Sequence, residues 1–243
     1  MQQSRFELKY LVSEDTALQI RDFVRSYLEM DEYSVGRPNY SYPVHSLYLD
    51  SDDLKTYWET INGNKNRFKL RLRYYSDKPD SPIFFEIKRR MNNCIMKKRG
   101  GVRQEFVPNL LRGHLPELDH LLVKAAKPLD ALQRFSELMN RLQATPKVHI
   151  SYWREAYVNE TDSVRLTLDR EVVAEPHLTP QVKTKMTNPR RSFPRVVILE
   201  LKFTDRYPDW FRELVRVFHV MQCGAAKYVE SVQAIGSPLL ISR

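Results

Sequence analysis

Lys69-Leu70-Arg71-Leu72-Arg73-Tyr74-Tyr75 is the stretch on which the fold turns. In an extended strand alternate side chains face opposite ways, so Lys69, Arg71, Arg73 and Tyr75 share one face and Leu70, Leu72 and Tyr74 the other. Like charges repeated along one face repel unless neighbouring strands supply carboxylates or an anion lies against them. Three other segments alternate in the same way and carry a Glu and a Lys on one side of an apolar residue: Glu7-Leu8-Lys9, Glu86-Ile87-Lys88 and Glu200-Leu201-Lys202. Arg154 and Arg165 fall in two more alternating runs, over 147–158 and 164–171. The pattern predicts a sheet with one apolar face and one face crowded by charge of both signs.

Between the strands the spacing turns helical. Ser13 is placed to cap a helix running to about residue 30, and Ser51-Asp52-Asp53 to cap a short helix through Trp58. That acidic cluster could also hold a metal, but capping explains it without one. Gly100-Gly101 is read as ending the strand that begins at Cys94. From 107 to about 145, leucines and Phe135 recur at spacings of three, four and seven, which predicts a helical insert. Residues 176–195, with four prolines and five Lys or Arg, read as a solvated loop; 196–204 as a strand; and 208–221 as an amphipathic helix.

At 243 residues with 42% hydrophobic content the chain can bury a core, and it is read as one domain over 1–243. A net charge of +9 favours an anionic partner without choosing among nucleic acid, a membrane surface and phosphate compounds. Two cysteines with no Cys-x-x-Cys pair give no disulfide framework, and no run approaches the roughly 20 apolar residues of a transmembrane helix. A cytoplasmic protein is expected, with membrane association left to a partner.

An open antiparallel sheet with a solvated charged face accounts for the alternation. Strands this numerous also tend to curl, and a barrel with the charged face inward would enclose a polar tunnel. A tunnel lined by Arg and Lys is costly empty and suits a ligand with several negative charges. Carboxylates among those cations make sense as ligands of a hard divalent ion, since Mg²⁺ and Mn²⁺ prefer oxygen and bridge phosphates. The glycine-rich nucleotide loops, His-Glu-x-x-His and Gly-x-Ser-x-Gly are all absent, which removes the usual nucleotide-loop, zinc-peptidase and serine-hydrolase readings.

The ordered series Glu7-x-Lys9-Tyr10, Ser46-x-Tyr48-x-Asp50, Arg71-x-Arg73, Glu86-x-Lys88, Lys97-Lys98, Ser151-Tyr152-x-Arg154, Arg165-x-Thr167-x-Asp169, Glu200-x-Lys202 and Lys227-Tyr228 resembles the VTC-type polyphosphate polymerase domain. That family belongs to the triphosphate tunnel metalloenzymes, related to CYTH proteins. The resemblance implies an α+β fold: an antiparallel β-barrel tunnel of about eight strands, flanking helices and the insert near 107–145. It also implies a polymerase that moves the γ-phosphoryl group of ATP onto a growing polyphosphate chain with Mn²⁺ or Mg²⁺ as cofactor. Lys9, Arg71, Arg73, Lys88, Lys98, Arg154 and Lys227 would contact phosphates, with Lys97 competing for the role of Lys98, and Glu200 would hold the metal. Arg71, Arg73, Lys88, Arg154 and Glu200 would carry the catalysis. The strand faces add Arg165 and Lys202 as phosphate contacts and Glu7 as a second metal ligand. Ala226 stands where the family often has a Ser. The phosphate-sensing domain and membrane helices of eukaryotic members find no counterpart here, which implies a stand-alone catalytic domain of bacterial type.

Two other activities fit the same charges. A tunnel-type triphosphatase would use water as acceptor. A non-catalytic polyanion or nucleic-acid binder would show salt-sensitive binding and no turnover. No aromatic-studded basic motif marks a specific nucleic-acid surface, and a plain anion binder gains little from inward carboxylates.

Overall fold

The computed structural model describes residues 5–92, 94–161, 163–204 and 206–240. In chain order they form β1 (Arg5–Val12), α1 (Glu14–Val24), β2 (Glu29–Met30), β3 (Tyr42–Asp50), α2 (Lys55–Ile61), β4 (Asn66–Tyr74), β5 (Ile83–Met91), β6 (Cys94–Val102), α3 (Val107–Leu111), α4 (Ala126–Leu142), β7 (Thr145–Val158), β8 (Val164–Pro176), β9 (Arg190–Arg191), β10 (Val197–Thr204), α5 (Asp209–Val217) and α6 (Lys227–Ile235). The α+β class with an antiparallel sheet is the one expected. Ten strands replace the expected eight or so because β2 and β9 add two-residue pairings to β7 and β8. No helix among the described residues is long and apolar enough to cross a membrane.

Two compact units divide the chain. The first comprises Met1–Pro43, Tyr152–Val172 and Phe193–Ala226. In it β10 pairs with β1 on one side and β8 on the other. The apolar members of that alternation, Leu166, Leu168, Leu199 and Leu201, are buried against Ala17 and Ile20 of α1 and Phe211 and Leu214 of α5. Ser13 caps α1 as predicted, its Oγ accepting the Thr16 N–H at 3.1 Å. The helix ends at Val24 instead of near residue 30, because Glu29 and Met30 leave it to pair with Val158 and Tyr157.

The second unit comprises Val44–Ser151, Val173–Ser192 and Lys227–Arg243. Here β4 lies between β3 and β5, and β5 pairs onward with β6. Leu47, Leu49, Leu70, Leu72, Phe85 and Ile87 form a core with Leu132, Phe135 and Leu138 of α4. The helical insert is present as predicted and comprises α3, which stops before Gly113 with its positive φ of 96°, and α4, which begins at Ala126.

Gly100 and Gly101 do not end the strand but lie inside β6. A Cβ at Gly100 would stand 2.8 Å from the Pro128 carbonyl oxygen, so glycine is there to let α4 approach the sheet. Of Ser51-Asp52-Asp53, Ser51 caps α2 together with Asp50 just before it, while Asp52 pairs with Lys147 at 2.6 Å. Asp50 accepts the Thr56 and Tyr57 N–H groups at 2.9 and 3.1 Å, and Ser51 Oγ accepts that of Lys55 at 3.1 Å. Residues 176–195 are held down more firmly than a solvated loop. Tyr74 donates to the Lys183 carbonyl at 2.7 Å, and Glu175 accepts the N–H groups of Thr187 and Asn188 at 2.8 and 3.0 Å.

Candidate functional site

Register fixes which side chains share a face in the second unit. Across β4, β5 and β6, Arg67 stands opposite Arg90, Lys69 opposite Lys88, and Lys88 opposite Lys97. Arg71 stands opposite Glu86 and Glu86 opposite Arg99, with Arg73 two residues beyond Arg71 on β4. Among the described residues of these three strands, that face holds eight cations and one carboxylate. Glu86 anchors the middle. Arg71 donates to its Oε2 from Nε and Nη2 at 2.8 and 2.6 Å, while Lys97 Nζ and Arg99 Nη1 lie 3.5 and 3.9 Å from its Oε1. Burial alone would raise the Glu86 carboxyl; Arg71, Arg73 and Lys97 outweigh it and hold the group well below the usual carboxylate range.

The same crowding acts on the bases. Desolvation, opposed by Glu86 and aided by Arg71, Arg99 and Arg73, lowers Lys97 to about 8. Burial would raise the Tyr48 phenol, but Arg71, Arg73 and Lys88 bring it below its ordinary value. Tyr48 accepts from Arg71 Nη1 at 3.1 Å, and Ser46 accepts from Arg73 Nε at 3.1 Å. Lys69 donates to Thr60 Oγ1 and lies 5.7 Å from the Tyr228 ring centroid. Lys227, buried at the first position of α6, is positioned through its neighbour: Tyr228 stacks on Tyr48 and donates to Asp50 Oδ2 at 2.8 Å.

Charges on the first unit's face are mixed. Glu7 and Lys9 on β1 stand opposite Lys202 and Glu200 on β10, and these stand opposite Arg165 and Thr167 on β8. Lys9 Nζ lies 3.3 Å from an oxygen of Glu7 and 3.3 Å from one of Glu200, and donates to the Ala225 carbonyl at 2.8 Å. Lys202 Nζ reaches Glu200 Oε2 at 2.8 Å. Arg154 makes two 2.7 Å bonds to Asp169 and comes within 3.6 Å of Glu200. Asp169 and Glu200 outweigh burial and raise the Arg154 guanidinium well above its ordinary value. Arg165 pairs with Asp31 at 2.5 Å.

Lys9 also tests whether this face suits a divalent ion. Its single ammonium is shared by two carboxylates, so Glu7 and Glu200 converge on one cation position. No group of three or more His, Cys, Asp or Glu among the described residues is arranged to hold a metal. Two carboxylates are nevertheless the usual protein share for Mg²⁺ bound together with phosphate, the other positions going to phosphate oxygens and water. The donor set fits that use.

Of the residues singled out in the sequence, Glu7, Lys9, Arg154, Arg165, Glu200 and Lys202 come together in the first unit, and Arg71, Arg73 and Lys88 share the second unit's face. Lys98 does not join them. It sits on the opposite face of β6, bonded to Asp130 at 2.7 Å, because Lys97 takes the register position opposite Lys88. Arg67, Arg90 and Arg99 extend the cationic face beyond the residues expected from the sequence. Their signal was present, since each lies an even number of residues from Arg71, Lys88 or Lys97 on the same strand. Asp169, the bidentate partner of Arg154, shares a strand face with Arg165 by the same parity, and the β7–β8 pairing is what brings it to Arg154.

The solved structures include a Bacillus halodurans protein, provisionally named an adenylate cyclase, that shares the fold. It matches with a TM-score of 0.52 and 16% identity, over 93% of this chain and 96% of that one. Among curated proteins the sequence matches none. The family model described as the VTC domain matches residues 4–235. This chain belongs to the VTC domain family.

Proposed function

We propose that this chain is a metal-dependent polyphosphate polymerase that transfers the γ-phosphoryl group of ATP onto a growing inorganic polyphosphate chain. Family membership supports an enzyme acting on triphosphates. The observation that carries the finer reading is the length of the cationic face. From Arg67 to Arg73 the cations of β4 extend about 20 Å along the strand at roughly 3.3 Å per residue. A nucleoside triphosphate would engage only part of that row, whereas a polymer would use all of it. The tunnel implied by the resemblance, and the action of the whole chain as one domain, belong to the same proposal, supported by a single family match over 4–235.

Phosphoryl transfer of this kind rests on positioning and charge neutralisation and needs no side-chain nucleophile. In the proposed enzyme Arg71, Arg73, Lys88 and Lys97 bind nonbridging phosphate oxygens, while Glu86 fixes the Arg71 guanidinium in one orientation. Arg154, held rigid by Asp169, and Lys9, Arg165, Lys202 and Lys227 supply further positive charge. Glu200 and Glu7 would hold the divalent ion, which when bound neutralises charge developing on the phosphoryl oxygens. The terminal phosphate of the polymer is the acceptor, so the same site would act as a triphosphatase if water took that place.

Incubating the purified chain with ATP and Mn²⁺ or Mg²⁺, and resolving the products by gel electrophoresis, tests the proposal. Polymer that disappears with Arg73→Ala supports it. Release of free phosphate without polymer would convert the assignment to a triphosphatase, and tight RNA or DNA binding without turnover would remove both.

A further inference from the structure

Thr167 lies on β8 between Arg165 and Asp169, two residues from each, so all three share the charged face of the first unit. Its register partner on β10 is Glu200. Thr167 is fully buried, and among the described residues its Oγ1 has no hydrogen-bond partner. A buried hydroxyl without a partner is disfavoured, and proteins seldom keep one without a use.

The surrounding acceptors are already committed. Both oxygens of Asp169 accept from Arg154. On Glu200, Oε1 faces Lys9 and Oε2 faces Lys202 and Arg154. Lys9, Arg154, Arg165 and Lys202 belong to the same group of strands, and the carboxylates there are taken up in pairing with them. A buried donor lacking an acceptor, beside carboxylates already committed to cations, matches an anionic oxygen brought by a ligand. Taking the phosphate-transfer reading as its basis, we propose that Thr167 is a phosphate-binding residue whose Oγ1 donates a hydrogen bond to a nonbridging oxygen of the bound phosphate chain.

The test compares wild type, Thr167→Val and Thr167→Ser in calorimetric titrations with inorganic tripolyphosphate in the presence of Mg²⁺. Valine keeps the shape and removes the hydroxyl, and serine keeps the hydroxyl. Thr167→Val is expected to bind about tenfold more weakly, the effect of losing one hydrogen bond to a charged group, with Thr167→Ser close to wild type. Without ligand, Thr167→Val is expected to melt at or above the wild-type temperature, because it removes a buried hydroxyl that has no protein partner. Equal affinity of Thr167→Val and wild type would overturn the inference, as would a lowered melting temperature, which would reveal a structural partner. If wild type itself fails to bind tripolyphosphate, the phosphate reading of the face falls and this inference with it.

Discussion

At the scale of single residues, Lys97 and Lys98 are the sharpest case. They are adjacent in sequence, and only the register of β5 and β6 decides which faces the cationic row. Alternation alone could not choose, because one extra residue in the hairpin reverses every side chain after it. Lys97→Ala should therefore lower polymer formation by at least tenfold, while Lys98→Ala, which removes only an exposed ion pair with Asp130, should leave it near wild type. Comparable losses in both variants would refute the register argument. Lys97 titrates near 8, so its ammonium is present below that pH and is lost above it. Phosphate affinity should accordingly weaken as pH rises through about 8, and Lys97→Arg, whose guanidinium stays charged, should flatten that limb of the profile.

Elements were legible wherever a local pattern also decided the outcome. Alternation located β1, β4, β5, β7, β8 and β10, and Ser13 located the start of α1, because pleat and cap are properties of a few neighbouring residues. The failures came where distant contacts prevailed. The end of α1 was set by β2 finding β7, and the glycines of β6 were set by the close approach of α4. The charged face was longer than expected for a related reason. Arg67 and Arg90 are at opposite ends of their strands in sequence and become partners only through the antiparallel register. Two arginines directly opposite each other are destabilising without an anion. Each is steadied by a backbone carbonyl instead, Arg67 on Asn64 and Arg90 on Asn92. If this end of the face guides the polymer, the double variant Arg67→Ala/Arg90→Ala should still consume ATP but make shorter chains, visible as faster-running product on a gel. Unchanged chain length would restrict the working site to the rungs from Lys69 to Arg73.

At the scale of the whole chain, composition indicated a basic folded protein with a core but could not foretell which buried groups would limit its stability. The six histidines are scattered in sequence, yet three of them meet in the second unit. His45 Nδ1 lies 3.1 Å from His149 Nε2, Tyr74 stacks on both rings, and His177 meets His149 edge-on at 6.0 Å. Desolvation lowers His45 to about 4 and His149 to about 3, with Arg73 and Lys183 adding positive charge nearby and Asp77 opposing it at His45. Both imidazoles are therefore neutral in the folded protein at pH 5, where the same groups in an unfolded chain are protonated. The unfolded state then binds more protons, so stability is full above about pH 6.5 and is lost as pH falls from there toward 4 and 3. Each histidine should remove about 2 kcal/mol of stability by pH 5. Denaturant melts between pH 7.5 and 5 should show this decline, and His149→Gln should reduce its steepness by about one proton. An unaltered slope in that variant would mean that the acid sensitivity arises elsewhere in the chain.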